Sequence, residues 1–453
     1  MTENERDYGV VSHKPGCKPK ESSVRAGNWN TAPMNASARA IKNVESEPRA
    51  QPFRSERALL VLSVMCLCLV LAGCNSVTGT FSRGQPEGAA ATAPMENSFA
   101  RPGSNETIGS GEAKVALILP LTQASGPSSV GISLRNAAEL AYFEAGSNDI
   151  TLLIKDDRST PEGARAAAQS AVEEGADLII GPLFAANARE VAPVARGADR
   201  PVIALSTDTS AAGPGLYLLS FLIENYVDRI VDFAASRGKK SMAALIPEND
   251  YGRIAEGEFQ QAAARNNIRI MTIEHYQPQT MTNAVQRVAG LSDQIDSLFI
   301  PEQADAMQAM SQALAAAKVS GNYQILGTGL WNDARVLNLR ALQGAWFSAP
   351  ENGGFKAFAS RYEAKYHSDP PRIATLAYDA VSLAAALAHT RGSQRYAADV
   401  LTNKSGFNGA DGVFRFRPDG TNERGLAVLE INNGTASPVS PAPHSFQGSA
   451  SAT

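Results

Sequence analysis

The chain has 453 residues and a net charge of −4, with 41 Lys and Arg against 45 Asp and Glu. No basic stripe runs through it, so nothing offers electrostatic support for a nucleic-acid partner. At 44% hydrophobic and 19% charged, it has the material for a globular body of two lobes of ordinary size.

Met1 to Gln51 is polar and lacks periodicity. It suits neither an export signal nor a fold, and Met34 is the expected start of translation. The run "ALLVLSVMCLCLVLA", Ala58 to Ala72, follows Arg54 and Arg57 and ends in small residues. A charged flank, an apolar core of this length and a small-residue end make a secretory signal; a membrane-spanning helix needs about 20 apolar residues. The cysteines are Cys17, Cys66, Cys68 and Cys74, and none follows Cys74. The folded part therefore holds no disulfide. Leu71-Ala72-Gly73-Cys74 resembles the bacterial lipobox, which implies cleavage after residue 73 and lipidation of Cys74. A thiolate suits S-alkylation, and durable anchoring takes more than one chain. Asn75, in place of an Asp, leans toward the outer membrane.

Residues 74–112 are rich in Gly, Ser, Ala, Pro and Thr and read as a flexible tether. Short apolar runs follow: "KVALILPL", "TLLIKDD", "DLIIGP" and "PVIALST", then "SMAALIP", "IRIMTIEHY", "SLFIP", "YQILGTG" and "GAWFSAP". Val115–Leu119 is apolar at every position, as in a parallel strand covered on both faces. Helical patterns alternate with these runs. Thr160-Pro161-Glu162 starts one, with a cap, an early proline and an early acid, and Gly175 stops it. Val227, Ile230, Val231 and Ala234 form the apolar stripe of another, which Gly238 ends. Strand and helix in alternation give right-handed crossovers and doubly wound α/β lobes, with ligand expected where strand ends face a crevice. Four strands precede residue 220 and a fresh series follows. The tail, residues 434–453, has the composition of a disordered segment.

Enzyme and cofactor motifs are absent: no G-x-S-x-G, no Walker loop and no H-E-x-x-H. "GTGLWN" places Asn332 where a dinucleotide fingerprint needs its last glycine. His275, His367, His389 and His444 lack metal-ligand spacing. No cofactor or metal is expected.

Lys114–Leu121 leading into "GISLRNAAELAYFEA", then "LLIKDDRSTPEGARAAAQSAVEEGADLIIGP", resembles the first lobe of leucine/isoleucine/valine-type periplasmic binding proteins of ABC transporters. "NDYGR" (Asn249–Arg253) and "FNGADGVFRFRPDGT" (Phe407–Thr421) extend the resemblance. It implies two doubly wound parallel-sheet lobes joined by a three-strand hinge. Lobe one would comprise 113–222 and 350–405, and lobe two 223–349 and 406–433. A small amino-acid-like ligand would sit in the cleft, and an ABC permease would be the partner. "ILGTGLWND" also resembles the binding-protein-like domain of penicillin-binding protein activators, outer-membrane lipoproteins that contact a peptidoglycan synthase.

The resemblance implies a set of ligand contacts. Asn187 is the polar residue of the loop after "IIGP". Ser206 and Thr207 stand for a Ser/Thr loop, with Asp208 following. Tyr251 falls on a cleft tyrosine, Gln303 aligns with a second one, and Trp331 lies in the "GTGLWND" stretch. Gly329 stands where the family places the acid for a ligand ammonium; Glu302 and Asp333 are near but offset. Bland roles compete: caps or turns for Ser206, Thr207 and Asp208, a helix start for Tyr251 and a core position for Trp331.

Overall fold

A computed structural model describes residues 106–146, 148–317 and 323–446. The leader with Met34, the signal run, Cys74 and most of the expected tether lie outside the described residues. No helix among the described residues is long and apolar enough to cross a membrane.

Lobe one opens with β1 (Glu106–Ile108) and β2 (Ala113–Leu119). A small hairpin, β3 (Thr122–Gln123) and β4 (Gly126–Pro127), leads to α1 (Ser129–Ala145). Next come β5 (Ile150–Asp156), α2 (Pro161–Glu173), β6 (Leu178–Ile180), α3 (Ala185–Gly197), β7 (Val202–Ala204) and β8 (Leu216–Leu218). Lobe two runs through α4 (Ile223–Ser236), β9 (Ser241–Pro247), α5 (Asp250–Arg265), β10 (Arg269–Tyr276), α6 (Met281–Ala289) and β11 (Ser297–Phe299). It continues with α7 (Ala304–Ala316), β12 (Gln324–Gly327), the single-turn α8 (Ala334–Leu337) and β13 (Trp346–Ala349). The chain then returns to lobe one with α9 (Asn352–Tyr366), α10 (Ala374–Arg391), α11 (Ala398–Leu401), β14 (Phe407–Gly409), β15 (Gly412–Phe416) and β16 (Asn422–Arg424). It ends in lobe two with β17 (Ala427–Asn432) and β18 (Thr435–Ser440).

The first sheet has the order β1-β5-β2-β6-β7-β8, and the second β10-β9-β11-β12-β13-β17-β18. Both centres are parallel, and the outer β1, β17 and β18 pair antiparallel. The helices keep the expected caps. Thr160 Oγ1 accepts from Gly163 N–H at 3.0 Å, and Gly175 turns out of α2 with φ of +81°. The stripe Val227, Ile230, Val231 and Ala234 is buried against Met242 and Phe259.

Three expectations change. Residues 406–424 were assigned to lobe two but form the antiparallel sheet β14-β15-β16, whose Phe407, Phe414 and Phe416 pack into the lobe-one core with Leu117 and Leu376. Those aromatics find their apolar surface under α10, so the chain crosses back only near Gly425. The tail was expected to be disordered, yet Thr435–Ser440 adds β18 to the second sheet. Ala436 packs on one apolar core and Val439 on the other, and this pairing with β17 outweighs the polar composition. Residues 106–108 of the expected tether likewise form β1 rather than linker.

Candidate functional site

In a parallel sheet the strand C-termini open onto one edge, where loops carry the ligand groups. Here the two lobes present such edges around the crossings near residues 222, 350 and 425.

On the lobe-one edge, polar side chains are already engaged. Asp156 Oδ1, at the end of β5, accepts from the N–H groups of Leu121 and Thr122, and Thr122 Oγ1 donates to its Oδ2 at 2.5 Å. The carboxylate thus fixes the loop after β2. Asp157 is fully buried and accepts from Asn187 Nδ2 at 2.9 Å and Ser159 N–H at 2.7 Å. Burial raises its pKa, against the pull of the Asn187 bond. Asn187 is therefore spent on Asp157. Gly181 is required after β6: its φ is +89°, and a Cβ would lie 2.0 Å from the Ile118 carbonyl oxygen. Ser206 is buried, its Oγ accepting from Asp208 N–H at 3.1 Å, while Thr207 is exposed. Asp208 caps a short 3₁₀ turn, accepting from Ser210 N–H and hydroxyl, and pairs with Arg189 at 2.8 Å. The Ser210 bond holds its pKa below the usual range. For Asp208 the cap is the role seen.

Three phenols pack at the lobe-two edge, Tyr226 and Tyr276 buried and Tyr251 half-buried. Tyr251 opens α5 under the Asn249 cap, and its Oη meets Thr328 Oγ1 at 2.7 Å. Burial drives the Tyr251 hydroxyl well above its ordinary pKa; the Thr328 bond lowers it, and nearby Tyr226 and Glu302 raise it further. Tyr276 donates to Glu302 Oε2 at 2.6 Å, and Gln303 N–H donates to Oε1 at 2.7 Å. Glu302 is thus a buried acid with both oxygens engaged. Gln303 takes part through its backbone, and its side chain is exposed at the start of α7. A Cβ on Gly329 would lie 2.5 Å from ring carbons of Tyr226, so this phenol fills the space a side chain at 329 would need. Asp333 caps α8 and is chelated by Arg335, which holds its pKa low. Trp331 is fully buried beneath β12, packed on Phe347, and a Cβ on Gly327 would strike its indole at 2.3 Å. It is core and does not line the cleft.

At the floor, Arg372 Nη2 meets Asp411 at 2.5 Å, and Arg424 Nε and Asn422 Nδ2 both donate to the Ser220 carbonyl. Asp379 accepts from Ala410 N–H at 2.6 Å; its Oδ2 lies 3.9 Å from Arg424 Nη2, beyond a hydrogen bond. Burial raises its pKa to about 7, against the pull of Arg424. Burial also raises the pKa of Tyr226, while Arg372 and Arg424 draw it down.

Four large apolar side chains stand exposed among the described residues: Ile132, Phe143, Phe184 and Leu330. Three of them lie at cleft-facing ends. Ile132 is in the first turn of α1, Phe184 caps α3 after β6, and Leu330 follows β12. The structure brings Tyr251 together with Thr328, Tyr226 and Glu302, and leaves Trp331 and Asp333 apart from them. Sequence reasoning missed Tyr226, Thr328 and Tyr276. Tyr226 sits one residue before the stripe of α4, and the glycine in "GTGLW" was the one signal that a ring needed room there.

A family model described as periplasmic binding protein matches residues 112–436. Comparison with curated proteins returned no match. Among solved structures, a leucine-binding protein from Thermotoga maritima is 21% identical; the match covers 72% of this chain and 97% of that one, with a TM-score of 0.51. A branched-chain amino acid ABC transporter periplasmic ligand-binding protein from Burkholderia xenovorans is 15% identical, over 74% and 97% of the two chains, with a TM-score of 0.59. A solute-binding protein of an ABC transporter from Rhodopseudomonas palustris, in complex with 3,4-dihydroxybenzoic acid, is 21% identical over 73% and 96%, with a TM-score of 0.53. At these identities the structures speak for the fold.

Proposed function

Since the chain belongs to the periplasmic binding protein family, we propose that it captures a small amino-acid-like solute in the interlobe cleft for an ABC transporter, held to the membrane by a lipid on Cys74. The carrying observation is the placement of exposed apolar groups. Ile132 and Phe184 on lobe one and Leu330 on lobe two are poised at the strand-end loops, where closure around an apolar ligand body would cover them. Polar recognition would come from the Tyr251–Thr328 pair with Ser206 and Thr207 opposite. A ligand touching both lobes favours their closed arrangement and raises the melting temperature.

The test is a thermal-shift screen against L-leucine, L-isoleucine, benzoate, 3,4-dihydroxybenzoate and peptidoglycan-derived peptides. Tyr251→Ala should weaken a hit by about 1–3 kcal/mol. A hit indifferent to both Tyr251→Ala and Ser206→Ala moves the site elsewhere. Cys74→Ser should release the protein from membranes on fractionation; full retention rules out the lipid anchor. Outer-membrane sorting is part of the same proposal.

One observation favours a second reading, an activator that binds a peptidoglycan synthase. Gly329 is closed off by Tyr226, and Glu302 is saturated by Tyr276 and Gln303. Neither position 329 nor Glu302 thus offers a ligand ammonium a free acid, and an unpaired buried charge is costly. Capture of the synthase by the protein, with no hit in the screen, makes that reading the better one.

A further inference from the structure

We infer that residues 441–446, after β18, form a latch that restrains rotation of the lobes about their hinge. The segment starts on lobe two and ends on lobe one, a fourth link beside the three crossings. Ala442 N–H donates to Glu351 Oε1 at 2.9 Å, beside the second crossing. Pro443 presses on Gly425 at the third: a Cβ there would lie 3.0 Å from the Pro443 carbonyl oxygen. Phe446 then reaches lobe one. Its ring packs where a Cβ on Gly406 would come within 2.8 Å, and the Arg415 guanidinium stands over it at 4.5 Å from the ring centre. Arg415 is itself fixed on β15 by Glu423 at 2.7 Å and by the Lys404 carbonyl.

The fastening is light. Between Glu351 and the β14–β15 turn, the segment roofs a cavity of about 310 Å³ that reaches Asp411 and Gly354. Its contacts include the hydrogen bond from Ala442 N–H to the Glu351 carboxylate, the edge of the lobe-two core under Ala442, and the Phe446 ring under Arg415, with no large side chain buried in either core. A fastening of that kind can open, so lobe rotation is gated and not forbidden: turning the lobes draws Phe446 off Arg415 or pulls Ala442 from Glu351. The latch regulates the cleft of the preceding reading. It is tested without ligand, so failure of solute binding leaves it standing.

The experiment is hydrogen–deuterium exchange on the ligand-free full-length protein, a version ending at Ser440, and Phe446→Ala and Phe446→Tyr. Loss of the latch should speed exchange about tenfold in the crossings, residues 220–226, 349–354 and 424–427, while α1 and α10 stay as protected as in the parent. Phe446→Ala should behave like the shortened chain, and Phe446→Tyr like the parent. Unchanged exchange in the crossings of both the shortened chain and Phe446→Ala overturns the inference. Equal loss of protection throughout both lobes overturns it too, since the segment would then be part of the folding core.

Discussion

The two lobes meet the cleft with opposite chemistry. Lobe one lines its strand ends with short polar side chains, and almost every one is consumed locally: Asp156 by the loop after β2, Asp157 by Asn187, and Asp208 by Ser210 and Arg189. Lobe two presents phenols, with Tyr251 on Thr328, Tyr276 on Glu302 and Tyr226 against Gly329. A polar residue at a strand end is as often scaffold as site, because loop backbone must be satisfied before any ligand is. Of the three phenols only Tyr251 is half-buried; Tyr226 and Tyr276 are buried. In the proposed site, Tyr251 is therefore the phenol placed to meet a ligand.

The sharpest test of this contrast is Trp331→Ala. With the indole as core, truncation should destabilise by about 3–5 kcal/mol in chemical denaturation. A loss under 1 kcal/mol accompanied by lost ligand binding would return Trp331 to the cleft. Gly329→Ala comes next. The added methyl must displace the Tyr226 ring, at a cost of about 1–3 kcal/mol. Coupling to Tyr226→Ala in a double-mutant cycle should recover most of it, and additivity would mean the ring does not fill that space.

Asp379, under lobe one, gives the third test. Its carboxyl keeps its proton to about pH 7 when folded but ionises near 3.8 when unfolded. The folded state then binds more protons in that window, so its contribution to stability is greatest below about pH 4 and falls as the pH rises to about 7. The expected fall is about 4 kcal/mol, measured by denaturation across that range. Asp379→Asn should flatten the slope; an unchanged slope assigns it to other groups. The smallest effect belongs to Asp208→Ala. Its ion pair with Arg189 is exposed and its turn is short, so stability should drop by at most about 1 kcal/mol. A large loss of solute affinity with stability intact would show that lobe one contributes directly.

The strands legible in the sequence are those buried on both faces, where each residue from Val115 to Leu119 is apolar. Those that escaped notice include the parallel β8, the inner β17, and the short antiparallel edge strands β1 and β18. Glu106–Ile108 has one apolar residue, and the run from Thr435 to Ser440 has only Ala436 and Val439 to show that it packs. A pattern of period two needs more length than that to stand out from a linker. Phe414 and Phe416 were read on the wrong lobe because the sequence of crossings does not say which core lies nearer. At the cleft, Ser206 and Tyr251 were visible as residue types at strand and helix ends. What occupies their hydroxyls is set by residues far away in the chain, such as Thr328, and no local pattern carries that.

The last strand also has a consequence for how copies of this protein behave at high concentration. A sheet edge is a template for further pairing, and an open edge invites a second chain to add on. β18 is the outermost strand of its sheet and pairs Pro438 opposite Leu429, with Pro441 and Pro443 directly after it. A proline has no N–H to donate, so Pro438 within the strand and Pro441 and Pro443 after it give an intruding strand no donor at those positions. The same proline-rich composition that gives this stretch the look of loose tail leaves the sheet with a terminus that resists strand-by-strand aggregation.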